Sequence, residues 1–270
     1  MHKNYKKKKI QKVYYSSHDP DHRTFKKAKL FLNKYKIKSK KVNVSSDIYQ
    51  SYFINTKYGL PHLDAKIAIS KDIFTINKKE KWITNKRSRK VSHLLRSRYD
   101  CILSTSKSIN KDNSLLNCRI DGLNNFKPEL IIIDRNLKLK KNLKLLNISK
   151  KRNTYIVTTI NKSKKINFFK KKNIKFVNIK KLNQKKDFLI LLNKIYKKGK
   201  RRILVESGLT FINSLIKNNL IKNLYIFKSD INLKNNGYNN SFPKILKKIN
   251  FNNKLKVNLN GDNLFKIRIK

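Results

Sequence analysis

One stretch of the sequence combines a carboxylate, a glycine and the start of a helix, a combination that can bind an anion. Residues 203–205 form a short apolar run that predicts a buried strand, Glu206 ends it, and Gly208 follows in a tight turn. A helix is expected to open near Thr210. In open α/β sheets, ligands bind at the carboxyl ends of the strands, where a helix N-terminus offers free N–H groups. Turns of this kind also serve as plain connections, so both interpretations stay open.

Two charged residues within or beside apolar strands are candidates for chemistry. A carboxylate directly after a buried strand costs free energy unless it is paired or used, so Glu206 is the strongest single candidate. Lys66 lies in the alternating segment 64–70, on the same strand face as Asp64 and Ala68. Lys66 is equally well interpreted as one more solvated lysine in a lysine-rich chain.

The charge balance points to an anionic partner or to a compositional bias. The chain has 270 residues, with 68 Lys and Arg against 15 Asp and Glu, and a formal net charge of +53. Nucleic acid, an anionic membrane surface and phosphorylated small molecules would all suit this charge. The lysines punctuate every segment instead of clustering, which favours a genome rich in Lys, Asn and Ile. Self-repulsion at this charge predicts a salt-sensitive fold.

The sequence predicts a cytoplasmic protein. Cys101 and Cys118 cannot form a zinc site by themselves and suggest a reducing compartment without a disulfide framework. No stretch approaches about 18 uninterrupted apolar residues. The basic start lacks the apolar core of a signal peptide.

Apolar strands alternate with amphipathic helices, which predicts an α/β fold with a mostly parallel central sheet flanked by helices. Gly59 and Pro61 mark a boundary near residue 60, giving units 1–60 and 61–270. Two C-terminal strands are expected to be antiparallel around the turn 260–262. The predicted strands are 12–16, 41–44, 64–70, 101–104, 130–134, 154–159, 174–179, 203–205, 224–227, 255–257 and 264–269.

Capping residues and apolar stripes predict the helices. Thr24 is expected to cap the first helix, Asp47 is a candidate cap for a short second one, and Thr84 or Asn85 caps a third. The third helix carries the stripe Val91, Leu94 and Leu95, with Arg96 off the stripe. Residues 106–119, which hold Ser108, Asp112 and Arg119, are predicted to form a polar loop. Gly199 is expected to end the helix that carries Phe188, Leu191, Leu192 and Ile195.

Several segments together resemble one family. They are KIAIS, then WIT and a helix ending in HLLR, the loop SINKDNSLLNCR, the strand IIID and the motif LVESG. In this order they resemble the reductase domain of the bifunctional riboflavin-biosynthesis deaminase/reductase, which has a dihydrofolate-reductase-like fold. The resemblance covers roughly residues 61–240. Residues 10–60 look like the connection out of that protein's deaminase domain, so 1–60 is interpreted as a remnant of its end plus a linker.

The resemblance implies an NADPH-dependent reduction of the ribose of 5-amino-6-(5-phosphoribosylamino)uracil to a ribityl chain. Lys66 and Glu206 are the implied catalytic residues. The implied NADPH contacts are Ala68, Trp82, Ser108, Asp112, Gly208, Leu209 and Thr210. The implied substrate contacts are Arg96, Leu116, Arg119 and Glu206. Family members also associate through this domain, so a homo-oligomer and a separate deaminase are possible partners.

Elementary chemistry agrees with these implied roles. An arginine fork binds phosphate in a bidentate manner, which suits Arg96 and Arg119. Hydride arriving at the ribose carbon leaves negative charge on oxygen, and the ammonium group of Lys66 could stabilise and protonate it. Each residue also has a structural alternative: Trp82 as core packing, Arg96 as surface charge and Asp112 as the start of a turn.

The sequence departs from the family pattern at several points. Where the family has a glycine in a turn, this chain has Ser70-Lys71-Asp72-Ile73, and Ile73 is expected not to adopt glycine-type backbone angles. Glu80 replaces a serine whose role is not carried over. The histidine-x-glutamate and paired-cysteine motifs of a zinc deaminase are missing, so neither a metal site nor deaminase activity is predicted. The alternative function is a basic, non-catalytic protein of the same fold that binds nucleic acid or phosphorylated ligands.

Overall fold

The computed structural model describes residues 10–42 and 49–269. The chain divides into two compact units, Met1–Leu60 and Pro61–Lys270. Each unit is described by itself. No helix among the described residues is both long enough and apolar enough to cross a membrane.

The first unit holds a small parallel β-pair and two helices. Its elements are β1 (Lys12–Tyr15), α1 (Lys27–Lys34), β2 (Lys38–Lys41) and α2 (Gln50–Tyr58), with β1 pairing to β2. The prediction that Thr24 caps the first helix is wrong. Helix α1 begins after Lys26, and the Thr24 hydroxyl instead donates to Oδ2 of Asp19 at 2.8 Å. The predicted cap Asp47 lies outside the described residues.

The second unit is built on an eight-stranded sheet whose order is β12-β10-β3-β9-β5-β6-β7-β8. All neighbours are parallel except β12, which runs antiparallel to β10. The predicted fold class, a mostly parallel α/β sheet with antiparallel C-terminal pairing, is confirmed. The strands are β3 (His62–Ile69), β5 (Cys101–Thr105), β6 (Glu129–Ile133), β7 (Thr154–Thr158), β8 (Ile174–Asn178), β9 (Arg202–Val205), β10 (Asn223–Lys228) and β12 (Asn263–Arg268).

Helices and 3₁₀ turns connect these strands. They are α3 (Lys86–Ser97), α4 (Ser106–Asp112), α5 (Lys164–Lys171), α6 (Lys185–Lys197), α7 (Leu209–Lys217), α8 (Lys244–Lys248) and the 3₁₀ turns Lys144–Ile148 and Lys234–Asn236. Asn85 caps α3 by accepting from the Ser88 amide, as predicted. The predicted stripe of α3 is partly wrong, because Leu95 is buried whereas Leu94 is 44% exposed.

The start of the predicted polar loop 106–119 is a helix. Helix α4 forms because the Thr105 side chain accepts from the Ser108 amide at its N-terminus. Ile109 packs in the core with no exposed surface and anchors the helix. The loop therefore begins only at Asn113, and its residues 113–119 are called the 113–119 loop below.

The C-terminal hairpin differs in part from its prediction. Residues 255–257 do not form a strand; the neighbouring Lys254 makes an isolated bridge to Phe265, and the Leu255 amide donates to the Leu264 carbonyl at 2.8 Å. Asn260 and Gly261 both have positive φ, 53° and 90°, as a two-residue hairpin turn requires. The bridge between Leu259 and Asp262 closes this turn, so the predicted turn is confirmed.

The turn after β3 also corrects the sequence analysis. Ile73 has φ 68°, so it adopts the left-handed region that was expected to be closed to it. The Ser70 amide donates to the Phe74 carbonyl at 2.9 Å, and the Phe74 amide donates to the Ser70 hydroxyl at 2.9 Å. The short strands β4 (Ile76–Asn77) and β11 (Gly237–Tyr238) follow and pair antiparallel. A β-carbon on Gly237 would lie 2.2 Å from Cδ2 of Phe74, so this position has room for glycine alone.

Candidate active site

A cleft of about 1270 Å³ opens at the carboxyl ends of β3, β5, β6 and β9. Polar residues follow these strands at one edge of the sheet, where parallel α/β folds bind ligands. All of the predicted site residues line this one cleft: Lys66, Ala68, Trp82, Arg96, Ser108, Asp112, Leu116, Arg119, Glu206, Gly208, Leu209 and Thr210. The fold therefore gathers residues that are up to 144 positions apart in the sequence, from Lys66 to Thr210.

An ion-paired carboxylate lies in this cleft. Glu206 follows β9, and its side chain is 8% exposed. Arg96, in the last turn of α3, grips it with two parallel bonds: Nε to Oε1 at 2.5 Å and Nη2 to Oε2 at 2.9 Å. The Lys66 Nζ lies 3.8 Å from Oε2 of the same carboxylate and 5.3 Å from the ring centroid of Phe227. Two cations thus share one buried anion.

The electrostatics of this cluster keep Glu206 and Arg96 charged at neutral pH. Burial alone would raise the pKa of Glu206, but the charge and hydrogen bonds of Arg96, with help from Lys66, lower it to about 2. Burial lowers the pKa of Lys66 below its ordinary value, while Glu206 partly offsets this effect. Lys66 therefore lies beside a carboxylate that Arg96 already holds with two hydrogen bonds, which leaves its amine available to a ligand.

Arg96 differs from its predicted environment. Its fork was expected to be free for a phosphate, but here the fork is occupied by Glu206, and Nη1 donates to the Asn117 carbonyl at 3.0 Å. Arg119 is the more exposed guanidinium. It donates through Nη1 to Oδ1 of Asn117 at 2.9 Å and lines the cleft at the end of the 113–119 loop.

His93 is a site residue that sequence analysis did not select. Its Nδ1 lies 2.9 Å from the Asn117 carbonyl, and its Nε2 lies 3.1 Å from Nη2 of Arg119. The Arg119 amide also donates to Nδ1, at 3.2 Å, and Nη1 of Arg96 lies 3.3 Å from it, so the ring is surrounded by N–H groups of both arginines. Burial and the charges of Arg96 and Arg119 lower the pKa of His93 to about 4, which keeps the ring neutral. The HLLR motif contains this histidine one turn before Arg96, and that spacing was the available signal.

The start of α7 also lines the cleft. Gly208 is its N-cap and carries no side-chain cap, so the first amide groups of the helix face the cleft without a local acceptor of that kind. The Gly208 amide donates to the Ser108 hydroxyl at 3.1 Å. The hydroxyls of Ser108, Thr105 and Ser207 lie 3.0–3.1 Å from one another and join α4 to this turn.

Aromatic and apolar side chains line the same cleft. Trp82 is 50% exposed, and the Arg89 guanidinium lies 4.9 Å from its ring centroid. Trp82 is therefore not a core residue, which removes the structural alternative considered for it. Among the residues that the structure describes, no group of three His, Cys, Asp or Glu side chains could hold a metal ion.

Comparison with known proteins identifies relatives of this chain. The sequence model of the RibD C-terminal domain matches residues 61–229. The riboflavin biosynthesis protein RibD of Aquifex aeolicus (strain VF5) is 26% identical over 183 residues, which cover 67% of this chain and 49% of that protein. The chain spans about half the length of the curated relatives it matches.

Solved structures share the fold. RibD of Acinetobacter baumannii, form 1, superposes with a TM-score of 0.73 at 18% identity, covering 98% of this chain and 74% of the other. The Saccharomyces cerevisiae riboflavin biosynthesis reductase Rib7 superposes with a TM-score of 0.60 at 21% identity, covering 78% and 90%. The cleft and its residues lie almost entirely within the matched span 61–229. The chain belongs to the RibD C-terminal domain family.

Proposed function

We propose that this chain reduces the ribose of 5-amino-6-(5-phosphoribosylamino)uracil to the ribityl form with NADPH. The observation that carries the proposal is the cluster of Lys66, Arg96 and Glu206, in which the Lys66 Nζ lies 3.8 Å from a carboxylate already bonded to Arg96, beside a ligand-sized cleft. The yeast structural neighbour is a riboflavin biosynthesis reductase, which supports the same reaction class.

The residues present fit a nicotinamide dinucleotide. The cleft, at about 1270 Å³, exceeds the roughly 300–1,000 Å³ of most small-molecule sites and leaves room for two ligands. The uncapped first turn of α7, with Gly208, Leu209 and Thr210, would hold the pyrophosphate. Ala68, Trp82, Ser108 and Asp112 would contact the rest of the cofactor. When bound, NADPH supplies the hydride.

The substrate would lie against α3 and the 113–119 loop. Arg119, the more exposed guanidinium, would bind the phosphate, and Arg96 would contribute its remaining N–H groups while fixing Glu206. Leu116 would contact the pyrimidine ring. Glu206 would accept hydrogen bonds from ribose hydroxyls, which requires the ionised state that its low pKa provides.

Lys66 would be the general acid. With a hydride delivered to C1′ of the ribose, a C–H bond would form there, the C1′–O4′ bond would break, and its electron pair would stay on O4′. The Lys66 ammonium would stabilise that oxygen and give it a proton. The lowered pKa of Lys66 makes the proton transfer easier than from an ordinary lysine.

The test is reduction by the purified protein. The chain is mixed with NADPH and the phosphoribosylaminouracil, and NADPH oxidation is followed together with the mass of the pyrimidine product. We expect oxidation only with the pyrimidine present, and a product heavier by two hydrogens. Absence of turnover, with nucleic-acid binding that weakens steeply with salt, would overturn the proposal in favour of a non-catalytic binding protein.

The proposal also includes the expectations for residues 1–60, for the cellular location and for the partners. The interpretation of residues 1–60 as the end of a deaminase domain is supported by the coverage of 98% of this chain in the A. baumannii superposition. The cytoplasmic location, a homo-oligomer and a separate deaminase partner remain predictions.

A further inference from the structure

Arg152 is a buried cation outside the cleft for which the reaction has no direct use. It lies just before β7 and is 2% exposed. Its guanidinium donates to main-chain carbonyls: Nε to Pro128 at 2.6 Å, Nη2 to Leu116 at 2.7 Å, and Nη1 to Leu115. Among the described residues no carboxylate forms an ion pair with it. Burying a guanidinium without an anionic partner costs free energy, so we looked for what its hydrogen bonds to the main chain achieve.

The bonds of Arg152 converge on the 113–119 loop. Leu115 and Leu116 are consecutive, and in an extended chain their carbonyls would point in opposite directions. Leu116 has φ 51°, in the left-handed region that is unfavourable for a non-glycine residue. Both carbonyls reach the same guanidinium in this conformation. The planar fork therefore holds the loop in an unfavourable backbone state.

The conformation of the 113–119 loop determines where several groups of the proposed substrate site lie. The next residue, Asn117, offers its carbonyl to Nη1 of Arg96 and to the His93 ring. Its side chain accepts from Arg119, which ends the loop. A shift of the carbonyls at 115 and 116 would therefore move the contacts of both arginines.

We propose that Arg152 is a positioning residue whose guanidinium fixes the 113–119 loop so that Arg119 and the Asn117 carbonyl face the cleft. The kinetic part of this inference rests on the proposed function, whereas the conformational part does not. A lysine cannot replace this arginine, because a single ammonium cannot reproduce a planar fork aimed at three carbonyls.

The experiment compares Arg152→Lys with Val157→Ala. Val157 is a fully buried β7 residue, so its truncation weakens the sheet without touching the loop. Three quantities are measured in both variants: the KM for the phosphorylated pyrimidine, the KM for NADPH, and the titration of His93 by NMR. Amide hydrogen exchange of residues 113–119 is followed in parallel.

For Arg152→Lys we expect the pyrimidine KM to rise about tenfold or more, with the NADPH KM within about twofold. The pKa of His93 should rise from about 4 toward its ordinary value, and exchange in the loop should accelerate. Val157→Ala should lower the melting temperature and leave all of these unchanged. Arg152→Ala should regain part of its pyrimidine affinity when methylguanidine is added.

An Arg152→Lys protein that melts early but keeps the wild-type pyrimidine KM and His93 titration would overturn the inference and leave Arg152 a purely structural residue. If the wild-type protein shows no reductase activity, the proposed function fails. The His93 titration and loop exchange would then still decide the role of Arg152, because neither depends on turnover.

Discussion

At the start of β3 the carboxylate of Asp64 is enclosed by hydrogen-bond donors, whereas two residues later on the same strand face the ammonium of Lys66 looks into a cleft. Asp64 accepts from His62 Nε2 at 2.9 Å, from the Tyr99 hydroxyl at 2.6 Å, and from the Asn223 amide and side chain at 3.1 and 2.7 Å. Its side chain is 2% exposed. This carboxylate has no bonding capacity left for a ligand.

Lys66 presents the opposite case. Its side chain is 16% exposed, and its carboxylate partner lies at 3.8 Å, beyond hydrogen-bond distance. Burial lowers the pKa of Lys66, while for Asp64 the bonds from its donors outweigh burial and lower the pKa of the carboxyl. We infer that Asp64, whose hydrogen bonds are all made within the protein, stabilises the fold. Lys66 keeps N–H groups that are not bonded to its carboxylate partner, and these are available to a ligand.

The largest expected effect is on turnover, when Lys66 is replaced. Lys66→Met keeps the aliphatic packing and removes the proton donor, so kcat should fall about 10²–10⁴-fold. Glu206 keeps its bidentate bonds to Arg96, so the melting temperature should change little. Steady-state kinetics and thermal unfolding measure the two effects. The control is Lys71→Met, an exposed lysine just past the strand. A wild-type kcat in Lys66→Met would contradict the distinction between Lys66 as a group available to the ligand and Asp64 as a structural one.

The second prediction concerns acid stability. The folded pKa of Glu206 is about 2 against an ordinary value of 4.5, so this carboxylate stabilises the fold above about pH 4.5. The stabilisation, about 3 kcal/mol on this shift, is lost as the pH falls from about 4.5 to about 2. Urea unfolding across this range should show a shallower decline for Glu206→Gln. An identical decline in both proteins would contradict the assigned ion pair.

The third prediction tests the structural role of Asp64. Asp64→Asn turns one acceptor oxygen into a donor that faces other donors, so the free energy of unfolding should fall by about 1–3 kcal/mol. The kcat per folded molecule should stay within about twofold, because the Lys66 cluster is untouched. Denaturant unfolding and active-site titration separate the two effects. Asp121→Asn, at an exposed carboxylate, should change neither.

The smallest expected effect is ionic. Salt should raise the pyrimidine KM several-fold between about 0.05 and 0.3 M, with kcat nearly constant, because it screens the attraction between the cations of the cleft and an anionic substrate. Over the same range the melting temperature should rise slightly, because salt screens the self-repulsion of a chain with net charge +53. A salt-independent KM would indicate that the cations of the cleft do not meet an anionic ligand.

The strands could be predicted from the sequence because most of them are buried on both faces. Segments such as CILS and LIIID are uninterrupted apolar runs, which is what central parallel strands require. The grouping of the site residues followed from the order of motifs that resemble the family. Glu206 could also be selected on physical grounds alone, as a carboxylate after a buried strand.

The remainder depended on contacts that leave no mark in local sequence. The pairing of Arg96 with Glu206 joins residues 110 positions apart, and no pattern says whether a guanidinium meets a phosphate or a carboxylate. Main-chain carbonyls, such as those of Leu116 and Asn117, act without any residue-type signal. Ile73 shows the reverse error: a local steric preference was taken as a prohibition, and tertiary contacts overrode it.

Gly237 has a consequence for how this sequence can change. Among the residues that the structure describes, lysine and asparagine stand at most exposed positions, as if substitution toward them were tolerated wherever space allows. At position 237 even a methyl group would overlap the Phe74 ring and approach Cβ of Leu233 at 2.9 Å. We therefore expect glycine to be retained at this position. A related sequence with alanine there should have a different conformation in the loops that hold Phe74 and Leu233.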